Sequence, residues 1–421
     1  MKRGLFLATV LLLGVGAPTA AQTVPSSPEA TIAHLSAMTY LDKALAFIEQ
    51  NALKRNTLDW PQVRAQAAEQ AKDAMSTADT YPVIRLVLDK LNDHHSRFYT
   101  PEEARALERG QRAGLGITVL YPEGTVAIVR PNSPAATAGI QVGDTIEAMN
   151  GQPLRADVLG LIVEFGGDSW QLRVKKSGQQ ASITMNLGAA SVSENTPPEG
   201  RRLPGDVGYL QLPMHIGDGT IAGQGSYAEL AQGLIRRIDE TPTCGWIVDL
   251  RRNRGGNMWT MLAGVGPILG EGKLGSFIDA QGTSEWTYQK GTSQLGGETL
   301  SSVSHPYQLK RPSPPVAVLT SRLTASSGEM TTIAFRGRPD TRSFGEATRG
   351  IPTGNVSQPL SDGALLVLTG ALSQDRSGRT YEGRIQPDQT VGTDWSQFGS
   401  EQDPAVRAAR DWLSQQPGCR S

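Results

Sequence analysis

Three patterns of apolar and polar positions follow one another along the chain. From about Pro28 to Leu107, apolar residues recur at i, i+3 and i+4, the spacing of one helix face. "AMTYLDKALAFIEQNAL", "DWPQVRAQAAEQAKDAM" and "YPVIRLVLDKL" each predict a helix, the second with Asp59 as N-cap and Pro61 in its first turn. From Gly110 to about Leu187 the runs shorten and glycine breaks them. "AGLGITVLYPEGTVAIV" predicts strand, turn and strand; a short helix is expected from Ser133-Pro134 and a strand after Gly143-Asp144. From about Val207 to Val391, "VGYLQLPM", "GWIVDL", "PVAVLTS", "TRSFGE" and "ALLVLTGAL" read as strands, alternating with helical "YAELAQGLIRRIDE" and "WTMLAGVGPIL". That alternation predicts an α/β layer structure around a largely parallel sheet. "DPAVRAARDWLSQQ" predicts a closing helix capped by Asp403.

The expected divisions are a leader over 1–21, a helical domain over 28–108, a β domain over 110–190, an α/β core over 195–400, and a helix and tail over 401–421. The fold class is α/β, in the broad sense of an α+β multidomain chain. The leader rests on Lys2 and Arg3, an apolar run from Leu5 to about Val15, and the small residues Thr19-Ala20-Ala21, the layout of a secretory signal peptide cleaved after Ala21. Its apolar core is shorter than the roughly 20 residues of a spanning helix. The expectation is therefore an exported protein, periplasmic or secreted, with no membrane span after cleavage.

A formal net charge of −1 leaves no polybasic footprint, so nucleic acid is not an expected partner. The two cysteines are Cys244 and Cys419. In an oxidising compartment a disulfide between them is one reading, two free thiols the other. Neither lies near another Cys or His at ligand spacing, so no metal is expected, and no cofactor is implied.

Two segments carry candidate chemistry. "GWIVDLRRNRGGNMW" is a buried strand that breaks at Gly255-Gly256 and enters a helix. Glycines let backbone amides face an oxyanion, and a helix N-terminus adds positive potential. A phosphate cradle is the rival use, but neither a dinucleotide fingerprint nor a Walker loop has this spacing. "PVAVLTSRLTASSGEMTTIAF" repeats the strand, turn and helix with Ser326 and Ser327 at the turn. Such a serine is a helix cap or a nucleophile. A nucleophile needs a base, yet the last histidine is His305 and the last lysine is Lys310. Any His or Lys base must come from earlier in the chain, which closes the α/β-hydrolase route, where the histidine follows the serine.

"AGLGI" followed by "SPAATAGIQVGDTIEAMNG" resembles a PDZ domain. In that family the loop amides, here those of Leu115, Gly116 and Ile117, hold a peptide's terminal carboxylate while the peptide adds a strand. With the helical start before it, and "VDLRRNRGG" and "TASSGE" after it, the chain resembles the carboxy-terminal processing peptidases, or tail-specific proteases, and their relatives on the tricorn core. The resemblance implies that Ser326, three residues before Glu329, is the nucleophile. It also implies oxyanion donors at the Ser327 amide and the Gly255-Gly256 turn. The tail-specific branch has a lysine base in a segment like "GEATRGIPTGN"; here Ile351 stands at its place and no lysine follows Lys310. The tricorn branch uses a histidine from the end of the helical region. "LNDHHSRF", with Leu91 four residues before His95, implies His95 as base, with His94 as its neighbouring rival and His34, His215 and His305 as the remaining histidines. An ordinary histidine pKa of about 6 to 7 is expected for it. The orienting glutamate falls on Glu382 in "TYEGRIQPD", with Glu329 as the rival. The implied protein is an exported serine endopeptidase whose PDZ domain recruits peptide C-termini. The alternative, suggested by the retinoid-binding relatives of the same core, is an inactive binding protein for peptides or hydrophobic ligands.

Overall fold

Capping residues set the helical start. In the computed structural model, which describes residues 27–163, 165, 167–217, 219–221 and 223–419, Ser27 caps α1 (Pro28–Asn51) and Asp59 caps α2 (Trp60–Gln70), accepting from Gln62 N. Ser76 opens α3 (Thr77–Leu91) in a capping box with Asp79. The leader expected over 1–21 lies outside the described residues. Leu41, Ala44, Leu45 and Ile48 of α1 and Val83, Ile84, Val87 and Leu91 of α3 bury their stripes in one core. α3 stops at Asn92, which takes a left-handed φ of 48°, a conformation Asn tolerates better than most residues.

Past that stop the chain becomes a strand, Arg97–Tyr99, which pairs antiparallel with Leu365–Val367. Ala364, Leu366 and Leu368 join the core of α1 and α3. The helical block is thus sewn to the far end of the chain. After α4 (Pro101–Glu108) comes the β region. Gln111–Gly114 pairs with Ala190–Ser193, Ile117–Val119 with Val126–Val129, and Thr145–Met149, Ser169–Lys175 and Ser182–Gly188 form a three-stranded sheet. α5 (Pro134–Thr137), capped by Ser133, packs Ala135 into its core beside Leu115, Val119, Ile146 and Trp170.

The core sheet has six strands in the order Gln389–Thr390, Thr341–Gly345, Val316–Thr320, Gly245–Asp249, Val207–Gln211, Glu199–Leu203. All neighbours are parallel except the last pair. Its side chains alternate, as a pleat requires. Trp246, Val248, Val316 and Val318 face α6 (Tyr227–Ile238), α7 (Met258–Leu269) and α8 (Ser327–Phe335). Ile247, Ala317, Leu319 and Phe344 face α9 (Pro404–Leu413), capped by Asp403. The multidomain α/β class read from the alternation holds.

One assignment changes. "ALLVLTGAL" is a strand, within Leu365–Asp375, but it belongs to a second, antiparallel sheet with Thr353–Pro359, Gly272–Asp279 and Gly282–Gln289. Periodicity announces a strand and is silent about its partner. Among the described residues, no helix is long and apolar enough to cross a membrane.

Candidate active site

Ser326 sits between the strand Val316–Thr320 and α8, with φ 50° and ψ −119°. Positive φ in a non-glycine residue costs about 1–3 kcal/mol and persists only where its surroundings enforce it. Three contacts do so. Ser326 N donates to Glu329 Oε2 at 2.9 Å, Ala325 N donates to Asn253 O at 2.9 Å, and Gly328 N donates to Ala325 O at 2.8 Å. The Ser326 hydroxyl reaches His95, with Oγ 2.9 Å from Nε2.

His95 is delivered by the turn after α3. Asp93 Oδ1 accepts from the amides of His95 and Ser96, and Asp93 Oδ2 accepts from the Ser96 hydroxyl. The next residues enter the strand on Leu365–Val367. On the other side of the ring, Nδ1 lies 2.8 Å from Thr353 Oγ1, and Asn355 Nδ2 lies 3.1 Å from Nε2. Two donors facing Nε2 make it the bare nitrogen, so Nδ1–H donates to Thr353. Desolvation lowers the His95 pKa to about 4, Arg97 and Arg349 adding to the fall and Asp93 opposing it. That direction, below the ordinary 6 to 7 expected from sequence, follows from the packing around the half-buried ring and from the lack of a carboxylate hydrogen-bonded to it.

His94, the rival, has φ 59° and makes no hydrogen bond to Ser326. His34 Nδ1 bonds to Ala74 O, His215 is buried against the Tyr227 ring, and the carbonyl of exposed His305 accepts from Arg236. Glu382 does not reach the histidine. It is exposed on the loop after Tyr381, and Thr353 holds the place expected for it. Glu329 does not touch His95 either. Its buried carboxylate accepts from the amides of Ser326, Gly350 and Ile351 and from the Thr348 hydroxyl, tying the serine to the loop where the lysine was sought. Burial raises its pKa to about 7, although each of those hydrogen bonds pulls it down.

The glycine turn is built for close approach. A Cβ on Gly255 would meet Ser326 Cβ at 2.8 Å, and one on Gly256 would meet His215 O at 1.8 Å; both have φ 108°. The two amides differ in availability. Gly255 N donates to Asn253 Oδ1 at 3.0 Å. Gly256 N has no partner among the described residues, nor has Ser327 N at the first turn of α8. Of the predicted donors, Gly256 and Ser327 are open and Gly255 is occupied. The Ser327 hydroxyl donates to Gly256 O at 2.6 Å and fixes the two segments together.

One cavity of about 1100 Å³ holds His95, Ser326, Ser327 and Gly256 and extends to Leu115, Gly116, Ile117 and Thr118. Met214, Trp259, Phe277, Leu295 and Met330 supply apolar wall. Gly116 O accepts from Arg130 N and Leu115 O from Ala135 N. Far from the cavity, Cys244 and Cys419 form a disulfide. Among the described residues, no three His, Cys, Asp or Glu are placed to hold a metal ion. Sequence reasoning missed Thr353, Asn355 and Asp93. Only Asp93, two residues before His95, carried a local signal, that of an Asx turn.

Residues 206–391 match the model of peptidase family S41, and residues 125–161 match a PDZ domain. The chain is 31% identical over 188 residues to the nisin-resistance protein of Lactococcus lactis subsp. lactis, spanning 44% of this chain and 57% of that one. It is 25% identical over 329 residues to the chloroplastic C-terminal processing peptidase of Tetradesmus obliquus, spanning 72% and 65%. In both cases the match takes in less than two thirds of the relative. The photosystem II D1 C-terminal processing protease shares the fold, with TM-score 0.56 at 22% identity over 85% of this chain and 93% of that one. A lipoprotein from Streptococcus agalactiae does so with TM-score 0.53 at 21% identity over 94% and 99%. The α/β core is thus similar to peptidase family S41 over a little under half of the chain, and a stretch similar to a PDZ domain precedes it.

Proposed function

We propose that the protein is a serine endopeptidase that works through Ser326 and His95. The observation that carries this reading is the 2.9 Å approach of Ser326 Oγ to Nε2 of His95. Ser326 Oγ attacks the scissile carbonyl carbon and its proton passes to Nε2. The carbonyl oxygen, now an oxyanion, accepts from the Gly256 and Ser327 amides. Collapse of the tetrahedral intermediate breaks the C–N bond, and the imidazolium returns the proton to the leaving amine. Water, deprotonated by the same nitrogen, then releases the acyl group. Thr353 holds the ring tautomer throughout.

The cavity wall favours apolar segments, and the PDZ region recruits peptide C-termini through Leu115, Gly116 and Ile117. Export agrees with the Cys244–Cys419 disulfide, which persists in an oxidising compartment. A fluorophosphonate probe tests the reading. It should label the wild type and fail to label Ser326→Ala, whereas Ser327→Ala should remain labelled because its backbone amide survives. Labelling of Ser326→Ala would remove Ser326 as nucleophile. The inactive binding protein keeps one observation in its favour, a threonine where a triad carries a carboxylate. An unlabelled wild type would select it.

A further inference from the structure

In the cavity shared by Ser326 and the PDZ loop, the surroundings of Arg254 are locally rich in cations. Arg349 on its wall is paired with Asp157. Glu194, also on the wall, is paired at 2.7 Å with Arg130 behind it, both almost fully buried. Arg254, also on the wall, differs. Its Nη1 donates to Thr118 Oγ1 at 3.1 Å, and among the described residues no carboxylate lies within ion-pair distance. Arg112, on the strand leading into the PDZ loop, has none either. Arg97, Glu108 and Asp279 also line the cavity, but the charges that act on Arg254 are the three guanidinium groups of Arg112, Arg130 and Arg349 against the one carboxylate of Glu194.

The strain on Arg254 shows in its pKa, which desolvation lowers to about 10. Glu194 pulls the value back up, and Arg112, Arg130 and Arg349 push it further down. At neutral pH it is still a cation. A desolvated cation held among like charges is costly until an anion joins it.

Position tells which anion. Arg254 directly precedes Gly255, the residue packed against Ser326, and its guanidinium touches Thr118, the residue after Ile117. It spans the gap between the oxyanion turn and the carboxylate loop. The strand Ile117–Val119 is not open for a long peptide. On the edge facing away from Val126–Val129, Val163 N donates to Val119 O at 2.8 Å and Tyr121 N donates to Leu161 O at 3.0 Å. Only the end at Leu115–Thr118 faces the cavity. The strand addition expected of a PDZ groove is therefore shortened by the chain's own segment.

We propose that Arg254, assisted by Arg112, receives the substrate's C-terminal carboxylate inside the active-site cavity, so that specificity for free C-termini is set by the peptidase core as well as by the PDZ loop. The cleavage half of this proposal rests on Ser326 as nucleophile; the binding half does not. With anchor and nucleophile in one cavity, the cut falls close to the substrate's end and releases a short carboxy-terminal peptide.

The test uses the full chain with Ser326→Ala, which binds without cutting. A fluorescent apolar peptide with a free carboxylate is titrated beside its C-terminal amide, followed by anisotropy. A charge-assisted bond of the usual strength makes the acid bind roughly tenfold or more tightly, and the advantage shrinks as salt rises. Adding Arg254→Gln should shrink the advantage several-fold, leaving the part that the PDZ-loop amides supply. Equal affinities before that change, or an undiminished advantage after it, would overturn the proposal. If Arg254→Gln does not fold, Arg254→Lys decides. A point charge without the bidentate fork should reduce the advantage several-fold, and an unchanged ratio counts against the assignment. Failure of Ser326 as nucleophile would appear separately, as an absence of cleavage of both peptides by the wild type.

Discussion

His95 Nε2 and Ser326 Oγ, 231 residues apart in the chain, meet at 2.9 Å. The pairing of Arg97–Tyr99 with Leu365–Val367 brings them together, since it docks the end of the helical block beside the core. The bare nitrogen faces the serine because the other one donates to Thr353.

The pH profile of kcat/KM is the first check on this pair. His95 must be neutral to accept the serine proton, so activity is lost as pH falls through its pKa. With that pKa lowered to about 4, the acid limb should lie near pH 4 and well below the ordinary histidine range. His95→Ala should lose several orders of magnitude, as removal of a triad member does. His94→Ala should lose little. A limb near 6.5 that vanishes in His94→Ala would transfer the role to His94.

Thr353 makes a sharper prediction. Thr353→Val removes the acceptor at Nδ1, a neutral hydrogen bond worth about 0.5–1.5 kcal/mol, and should lower kcat/KM up to roughly tenfold. Thr353→Asp places a carboxylate there. It stabilises the imidazolium, so the acid limb should move upward from about 4. An unmoved limb in the Asp variant would mean that Thr353 does not govern the ring.

Glu329 is expected to be structural and severe. Its two oxygens accept from three backbone amides and one hydroxyl. In Glu329→Gln one of them becomes an NH2 that meets donors whichever way the amide turns. About 1–3 kcal/mol per orphaned donor should appear as a lower Tm together with a loss of kcat, as Ser326 and the loop at 348–351 drift apart. Wild-type Tm and kcat in this variant would refute the tie.

The disulfide closes a loop with a sequence separation of 175 residues and pins the end of the chain to the start of the strand Gly245–Asp249. Cys419→Ser, or a reductant, should lower unfolding stability by about 2–5 kcal/mol, while labelling of folded Ser326 should persist. A denaturation midpoint indifferent to reductant would show that the bond contributes nothing.

The chain order of residues by itself determined a large part of this molecule. Local patterns were enough for α1 to α3 and α9, with caps at Asp59 of α2 and Asp403 of α9, and for the strand, turn and helix around Gly255-Gly256 and Ser326. Each of these is decided by side chains within a few positions of one another. The absence of any lysine after Lys310 also pointed the search for a base toward the N-terminal histidines. Tertiary structure decided everything that depends on which segments meet. Leu365–Asp375 reads as a strand whichever sheet it joins, and only packing against the helical block put it in the antiparallel one. Asn253 takes the Gly255 amide and leaves the Gly256 amide open, a distinction invisible in "NRGG". Thr353, rather than Glu382, faces Nδ1 because a ring nitrogen needs a hydrogen-bond partner within reach, and reach is set by the fold rather than by distance along the chain.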